Sequence, residues 1–284
     1  MTHITGFSSA AALDRTSIGE MIADRLAAKV DVLRAEFHTT GRVNTCVVDD
    51  LLPVGIASRI RDVFPDTSSM RHRSSLREDK YVAAQMNQYH PLLEEIIYAF
   101  QAPSVLAQVE KITSISKLIP DERLYAGGIS VMRRGNFLNP HLDNSHDVDR
   151  KQYRAINALY YVSRNWDGAD GGSLELWDNG PKGTPRAIVS AFNHLVIMIT
   201  NQSSWHSVSK VMSDQYRCCI SNYYFSEQSA EKDDYFHVTS FRGRPEEPVK
   251  NVILQADQQA RTAVRSIFKN GLVPTKHIYN KPPE

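Results

Sequence analysis

The sequence predicts an α+β fold, with helical segments at both ends flanking a central antiparallel β-sandwich or small barrel. Three observations predict it. Residues 16–37, 51–64 and 91–113 carry apolar side chains near helical spacing. From about residue 121, six short β-rich runs follow one another within about 105 residues, separated by Gly, Asp, Asn and Pro and with no helical segment between them. After Phe225 come a polar loop, a short "FHVTSF" run, an Arg/Pro-rich turn and a helical pattern over 251–270.

Taken in order, "TSIGEMIADRLAAKVDVLRAEF" reads as a helix with a Ser/Thr start. "NTCVVDDLLP" reads as a short strand and turn, and 51–64 as a second helix. Residues 91–113 suit one or two helices, with a break near Pro103, because proline removes a backbone donor inside a helix. The β-rich runs are "LYAGGISVM", "AINALYYVS", "SLELWD", "AIVSAFNHLVIMIT", "HSVSKV" and "RCCISNYYF". "DGADGG" (167–172) reads as a hairpin connection. It is no phosphate loop, since no Lys follows and no helix starts there.

The 284 residues suit one large domain or two small ones, and 42% apolar with 23% charged is ordinary globular usage. A formal charge of +1 gives no reason to expect nucleic acid or an anionic membrane as partner. No apolar run reaches the length of a spanning helix. The first twenty residues lack a basic stretch followed by a long apolar core, so no secretory leader is expected. Cys46 and the adjacent Cys218 and Cys219 offer neither a plausible bridge nor Cys-x-x-Cys zinc spacing, which points to a reducing, cytoplasmic compartment.

The chemistry gathers in the β-rich region. His141 and Asp143 sit two apart in "HLDNSHD", and on an extended strand residues i and i+2 face the same side. The bland alternative is a polar strand end. His206 follows 65 residues later in "SSWHSVSKV". Two histidines and one carboxylate on adjacent strands make a facial triad for non-haem Fe(II), with three coordination positions open. His146 and Asp147 are adjacent and would face opposite ways on a strand, so they are expected in a loop at the mouth. His194 is expected to be structural. Arg217 begins an apolar strand, and parity puts Cys219, Ser221 and Tyr223 on its face. An Arg entering a barrel interior is costly unless it meets an anion, and guanidinium grips a carboxylate with two parallel hydrogen bonds. The alternative is an Arg at a strand end reaching into water.

The stretch from about 128 to 226 resembles Fe(II)- and 2-oxoglutarate-dependent oxygenases of the prolyl-hydroxylase type. The matching pieces are "GNFLNPHLDN", "YRAINALYYVSRNWDGADGGSLELW", "SSWHSVSKV" and "YRCCISNYYFS", in the family's order. The resemblance implies a double-stranded β-helix (jelly-roll) core over 121–226, with 1–120 as a mainly helical layer and 227–284 as a loop and helix, in one structural domain. It implies His141, Asp143 and His206 as iron ligands. It implies Arg217 as the partner of the distal carboxylate of 2-oxoglutarate, with Ser221 and Tyr161 reaching the same group. Asn157 shares the face of Tyr161 by parity and is expected to point into the same pocket. Fe(II), 2-oxoglutarate and dioxygen are the implied cofactor and cosubstrates, with ascorbate as a candidate reductant.

The sequence also departs from that family. Leu138 stands where many prolyl hydroxylases have Tyr, and Val131 and Met132 stand where a second tyrosine is usual. These changes touch the substrate side and leave the metal chemistry intact. The expected activity is therefore hydroxylation of a small or medium-sized metabolite, with release of succinate and CO2. Asp143 favours hydroxylation, because related radical halogenases carry a small residue at that position. Two rivals are a hydroxylase of protein side chains and a cupin-like metal-binding module without oxygenase activity.

Overall fold

The computed structural model of the chain describes residues 13–229, 235–267 and 278–279. The opening twelve residues, on which the expectation about a leader partly rests, and residues 268–270 of the expected C-terminal helix lie outside them. The first part of the chain forms α1 (Arg15–Ala27), α2 (Val30–Phe37), β1 (Thr45–Val48), α3 (Val54–Asp62), β2 (Arg71–Ser74), β3 (Glu78–Ala83), α4 (Pro91–Ala99) and α5 (Pro103–Thr113). The central part forms β4 (Ile119–Pro120), β5 (Gly128–Met132), β6 (Phe137–Leu142), β7 (Tyr153–Tyr161), β8 (Leu174–Leu176), β9 (Arg186–Ile188), β10 (His194–Ile199), β11 (His206–Val208) and β12 (Arg217–Ser226). Strand β13 (Ser240–Phe241) and α6 (Pro248–Ile267) follow. Among the described residues, no helix is long and apolar enough to cross a membrane.

The first expected helix is two. Asp14 caps α1 by accepting from the Ser17 N–H, while the Ser17 hydroxyl and the Asp14 backbone N–H close the box. The helical path breaks at Lys29, whose φ of −121° lies outside the helical region. The break lets α1 pack on α4 and α5 while α2 packs on α5 and β1. Pro91 and Pro103 both stand in the first turn of their helices, where the missing N–H costs nothing. The break near Pro103 is therefore the start of α5.

The strands form one curled antiparallel sheet in the order β1-β10-β7-β12-β5-β3-β6-β11-β8-β9, with β2 on β3, β4 on β12 and β13 on β6. This is a double-stranded β-helix. Strand alternation sorts its two faces. Ile156, Ala158 and Tyr160 of β7 pack outward in one core with Ile18, Leu26, Leu93, Ile96 and Val105 of the helices. Leu159 and Tyr161 point inward, beside Leu174, Val196 and Cys219. Each large aliphatic side chain buried in that seam contributes roughly 1.5–3 kcal/mol. The helices thus brace the outside of the barrel, and the interior holds a small apolar cluster together with buried polar groups.

Two features were not apparent from pattern. Strand β3 lies between β5 and β6, so a segment ahead of residue 121 completes the sheet. The run "AIVSAFNHLVIMIT" is two strands, β9 and β10, interrupted at Asn193, which has a φ of +63°. The Asn193 side chain accepts from Leu52 N–H and from the Tyr160 hydroxyl and donates to Leu52 C=O, which ties the interruption to the helical layer.

Candidate active site

Strand pairing brings the triad together. In the β6–β11 ladder His206 lies directly opposite His141, and on the other side of β6 Phe241 lies opposite His141. The two imidazole centroids are 4.1 Å apart, and the Phe241 ring stacks on His141 at 5.0 Å. Asp143 follows just past the end of β6. Its Oδ1 is 3.7 Å from His141 Nε2, and its Oδ2 is 3.8 Å from His206 Nε2. One donor atom from each residue lies within 4.8 Å of the others, and all three residues are buried; no other group of three such side chains occurs among the described residues.

The protonation states suit a cation. His141 Nδ1 faces Asn139 C=O at 3.0 Å and His206 Nδ1 faces Ser204 C=O at 2.9 Å. With Nδ1–H donating to a carbonyl, each Nε2 carries its lone pair toward the shared space. Burial pushes His141 down to about 3, and the neighbouring His206 adds to it. Burial alone would raise the Asp143 carboxyl, but the Arg154 guanidinium and the two histidines hold it well below the usual carboxylate range. A neutral His141 imidazole beside an ionised carboxylate, with His206 facing both, is a donor set that suits a divalent transition metal.

Asn157 and Arg154, both on β7, brace Asp143. Asn157 Nδ2 donates to Asp143 Oδ2 at 2.8 Å, and Thr200 Oγ1 donates to Asn157 Oδ1 at 3.0 Å. The Asn157 amide is thus engaged by the triad carboxylate rather than extended toward the expected cosubstrate pocket. Arg154 Nη1 is 3.2 Å from Asp143 Oδ2, and its guanidinium lies 4.5 Å over the Tyr223 ring. Sequence reasoning missed Arg154. Its only sequence-level signal is a charged residue in an otherwise apolar β-run.

Arg217 stands inside the barrel, 4% exposed. Its Nε donates to Gly172 C=O at 2.6 Å and to Ser190 Oγ at 3.0 Å, whereas Nη1 reaches only the weak acceptor Met132 Sδ at 3.6 Å. Its guanidinium lies 4.9 Å over the Tyr161 ring. The Tyr161 hydroxyl is buried and faces Ser190 and Arg217 without closing a hydrogen bond to either. Burial pushes that hydroxyl well above the usual tyrosine range, so it stays a donor. A buried cation and an unpaired buried hydroxyl on one spot fit a carboxylate brought in from outside. Ser221 lies farther along β12, its Oγ 3.7 Å from Cys219 Sγ, and lines the cavity beside His141 and Asp143.

The "DGADGG" turn has a second task. Gly172 has a φ of +63°, and its carbonyl accepts from both Arg217 and Ser190. A Cβ there would meet Arg217 Cδ at 2.9 Å. Gly172→Ala is expected to destabilise the fold by about 1–3 kcal/mol and to shift Arg217, raising the half-saturating 2-oxoglutarate concentration. Thermal melts and cosubstrate titration check this; unchanged titration would detach the turn from the pocket. His146 and Asp147 lie apart from the triad. His146 packs on Tyr153 and accepts or donates with Ser145 Oγ at 2.8 Å, and Asp147 caps the turn at Lys151 and Gln152. His194 faces Asp49 at 3.3 Å near the helical layer.

Comparison with known proteins bears on this geometry. Residues 127–225 match the family model described as the 2OG-Fe(II) oxygenase superfamily, the span in which the sequence resemblance lies. Prolyl 3-hydroxylase OGFOD1 of Mus musculus is 30% identical over 96 residues, covering 32% of this chain and 17% of that protein. OGFOD1 of Xenopus laevis is 32% identical over 122 residues, covering 40% and 22%. The matched stretch thus spans about a fifth of the length of these curated relatives. A prolyl-4-hydroxylase structure from Pseudomonas putida shares the fold, with a TM-score of 0.50 at 16% identity over 71% of this chain and 98% of that one.

Proposed function

We propose that this chain, whose residues 127–225 are a 2OG-Fe(II) oxygenase core, hydroxylates an unactivated C–H bond of a small or medium-sized metabolite. The observation that carries the reading is the buried set of His141, Asp143 and His206, of which His141 and Asp143 line a cavity of about 390 Å³. In this reading Fe(II) is held by His141 Nε2, His206 Nε2 and the Asp143 carboxylate, and 2-oxoglutarate lies with its distal carboxylate against Arg217 and Tyr161. When bound, the metal and cosubstrate supply the oxidising chemistry, with 2-oxoglutarate converted to succinate and CO2.

The protein's part is orientation and charge. The carbonyls of Asn139 and Ser204 fix the two imidazoles so that Nε2 is the ligand atom. Asn157 and Arg154 hold Asp143 ionised and in one rotamer. Arg217 supplies a fork for a carboxylate, and Gly172 with Ser190 fixes the plane of that fork. Tyr161 adds a neutral donor. Phe241, Leu138 and Ile129 line the space around the reacting atoms and keep it partly apolar.

Hydroxylation of a prolyl side chain in a protein is the second reading, and the local identity to OGFOD1 favours it. Against it stand Leu138, Val131 and Met132 at positions where the family usually carries tyrosines. Incubation with 2-oxoglutarate and labelled dioxygen, once with a metabolite extract and once with a proteome, separates the two. Label in low-mass compounds supports the metabolite reading, and label confined to tryptic peptides overturns it. Asp143 bears on the outcome of the reaction. Asp143→Gly is expected to lose hydroxylation and to permit weak transfer of azide or chloride, read by product mass; hydroxylation at the wild-type rate would remove Asp143 from the ligand set.

A further inference from the structure

We propose that the substrate presents an anionic group, a carboxylate or a phosphate, to Lys80 and Arg154 in the wall of the metal-site cavity. This rests on the functional reading above and names the chemical class of its substrate. The chain as a whole carries a formal charge of only +1. Its cavity does not share that balance. Arg73, Arg77, Lys80, Arg154 and Arg261 line it, against the carboxylates of Glu78 and Asp143.

The cations of the cavity wall draw on shared carboxylates. Glu78 is shared by Lys80 at 2.9 Å and Arg73 at 3.5 Å. Asp257 is shared by Arg77 and by Arg261, the latter at 2.9 Å. Asp143 is paired with Arg154, yet it is also the carboxylate that the metal would take. Among the described residues, five cations line this wall and share Glu78, Asp257 and Asp143, with Asp121 also acting on Arg154. An incoming Fe(II) and a doubly charged 2-oxoglutarate cancel one another, so they leave the charge of this wall unchanged. Arg154 is 4% exposed, and its Nε is buried without a hydrogen-bond partner. A desolvated guanidinium edge of this kind is costly unless something accepts from it. Lys80, with about a fifth of its side chain exposed, pairs with Glu78 and also lines the cavity, where an anionic ligand would share its ammonium.

The space continues past the charged wall. A second cavity of about 470 Å³ shares Tyr125, Asn144, Thr239 and Arg261 with the first, and its lining mixes Val148, Phe236, Val238 and Val264 with Asp147, Arg150 and Arg265. A substrate with an acidic group near the metal and an apolar or extended remainder fits both spaces.

The test uses the full chain loaded with Mn(II), which does not turn over, and with 2-oxoglutarate, so that Arg217 is already occupied. Calorimetric titration of 2-oxoglutarate comes first. Inorganic phosphate and glutarate are then titrated separately, which distinguishes the two anion chemistries. Saturable binding of at least one is expected, weakened about tenfold in Lys80→Gln and restored in Lys80→Arg, with 2-oxoglutarate affinity unchanged in both; loss of one charge-assisted hydrogen bond sets that scale. In parallel, a metabolite extract is split on an anion exchanger, and succinate release is measured with Fe(II) and each fraction. Stimulation by the retained low-mass fraction, diminished in Lys80→Gln, supports the proposal. It is overturned if neither anion binds, if Lys80→Gln binds both as tightly as wild type, or if only the unretained fraction or an acidic peptide pool stimulates turnover. Failure of 2-oxoglutarate to bind in the first titration would instead remove the functional reading itself.

Discussion

His141→Ala, Asp143→Ala and His206→Ala are each expected to abolish turnover and to weaken Fe(II) binding at least about tenfold, because three protein ligands share the ion. The effect should be nearly equal across the three. His141 and His206 are cross-strand partners held by carbonyls two residues before each of them, so removing one ring leaves the other in position. The fold should survive, since the helical layer packs on the opposite face of β7 and β12. Metal titration and circular dichroism measure the two separately. Full activity in His206→Ala would show that the buried cluster is not the metal centre.

Arg217→Ala is expected to raise the half-saturating 2-oxoglutarate concentration far more than the Fe(II) requirement. A lost charge-assisted contact to a buried anion costs about 2–5 kcal/mol, which is roughly thirtyfold to several thousandfold. Arg217→Lys should recover only part, since an ammonium cannot make the fork that Gly172 and Ser190 orient. Tyr161→Phe should cost less, on the order of 1 kcal/mol, the scale of one hydrogen bond from a neutral donor. Equal loss for iron and 2-oxoglutarate in Arg217→Ala would make the residue a structural support.

The site was legible in the sequence where strand parity does the work. Tyr161 with Leu159 and Asn157 follows from alternation along β7, and Asp143 comes beside His141 although it lies one residue past the end of β6. The partner of each group was harder to read. Asn157 turns inward as expected, yet it donates to Asp143, because the chain after β6 curls back over the start of β7. Arg154 reaches the same carboxylate from 11 residues downstream, a contact that no local period encodes. Strand β3 reads "EDKYVA", with three charged residues in sequence and poor β-propensity. Pairing to β2 on one edge, and to β5 and then β6 along the other, makes it a strand. Its Lys80 thereby enters the cavity from a segment that pattern alone assigned to a helical layer.

One measurement tests the central claim most directly. The protein is mixed under argon with Fe(II) and 2-oxoglutarate, and the visible spectrum is recorded before and after admitting dioxygen. A charge-transfer band that needs both additions, decays with oxygen and yields succinate is the expected result, with the band absent in His206→Ala and requiring far more 2-oxoglutarate in Arg217→Ala. No band in the wild-type protein, or an undiminished band in His206→Ala, would contradict an iron and 2-oxoglutarate site at His141, Asp143 and His206.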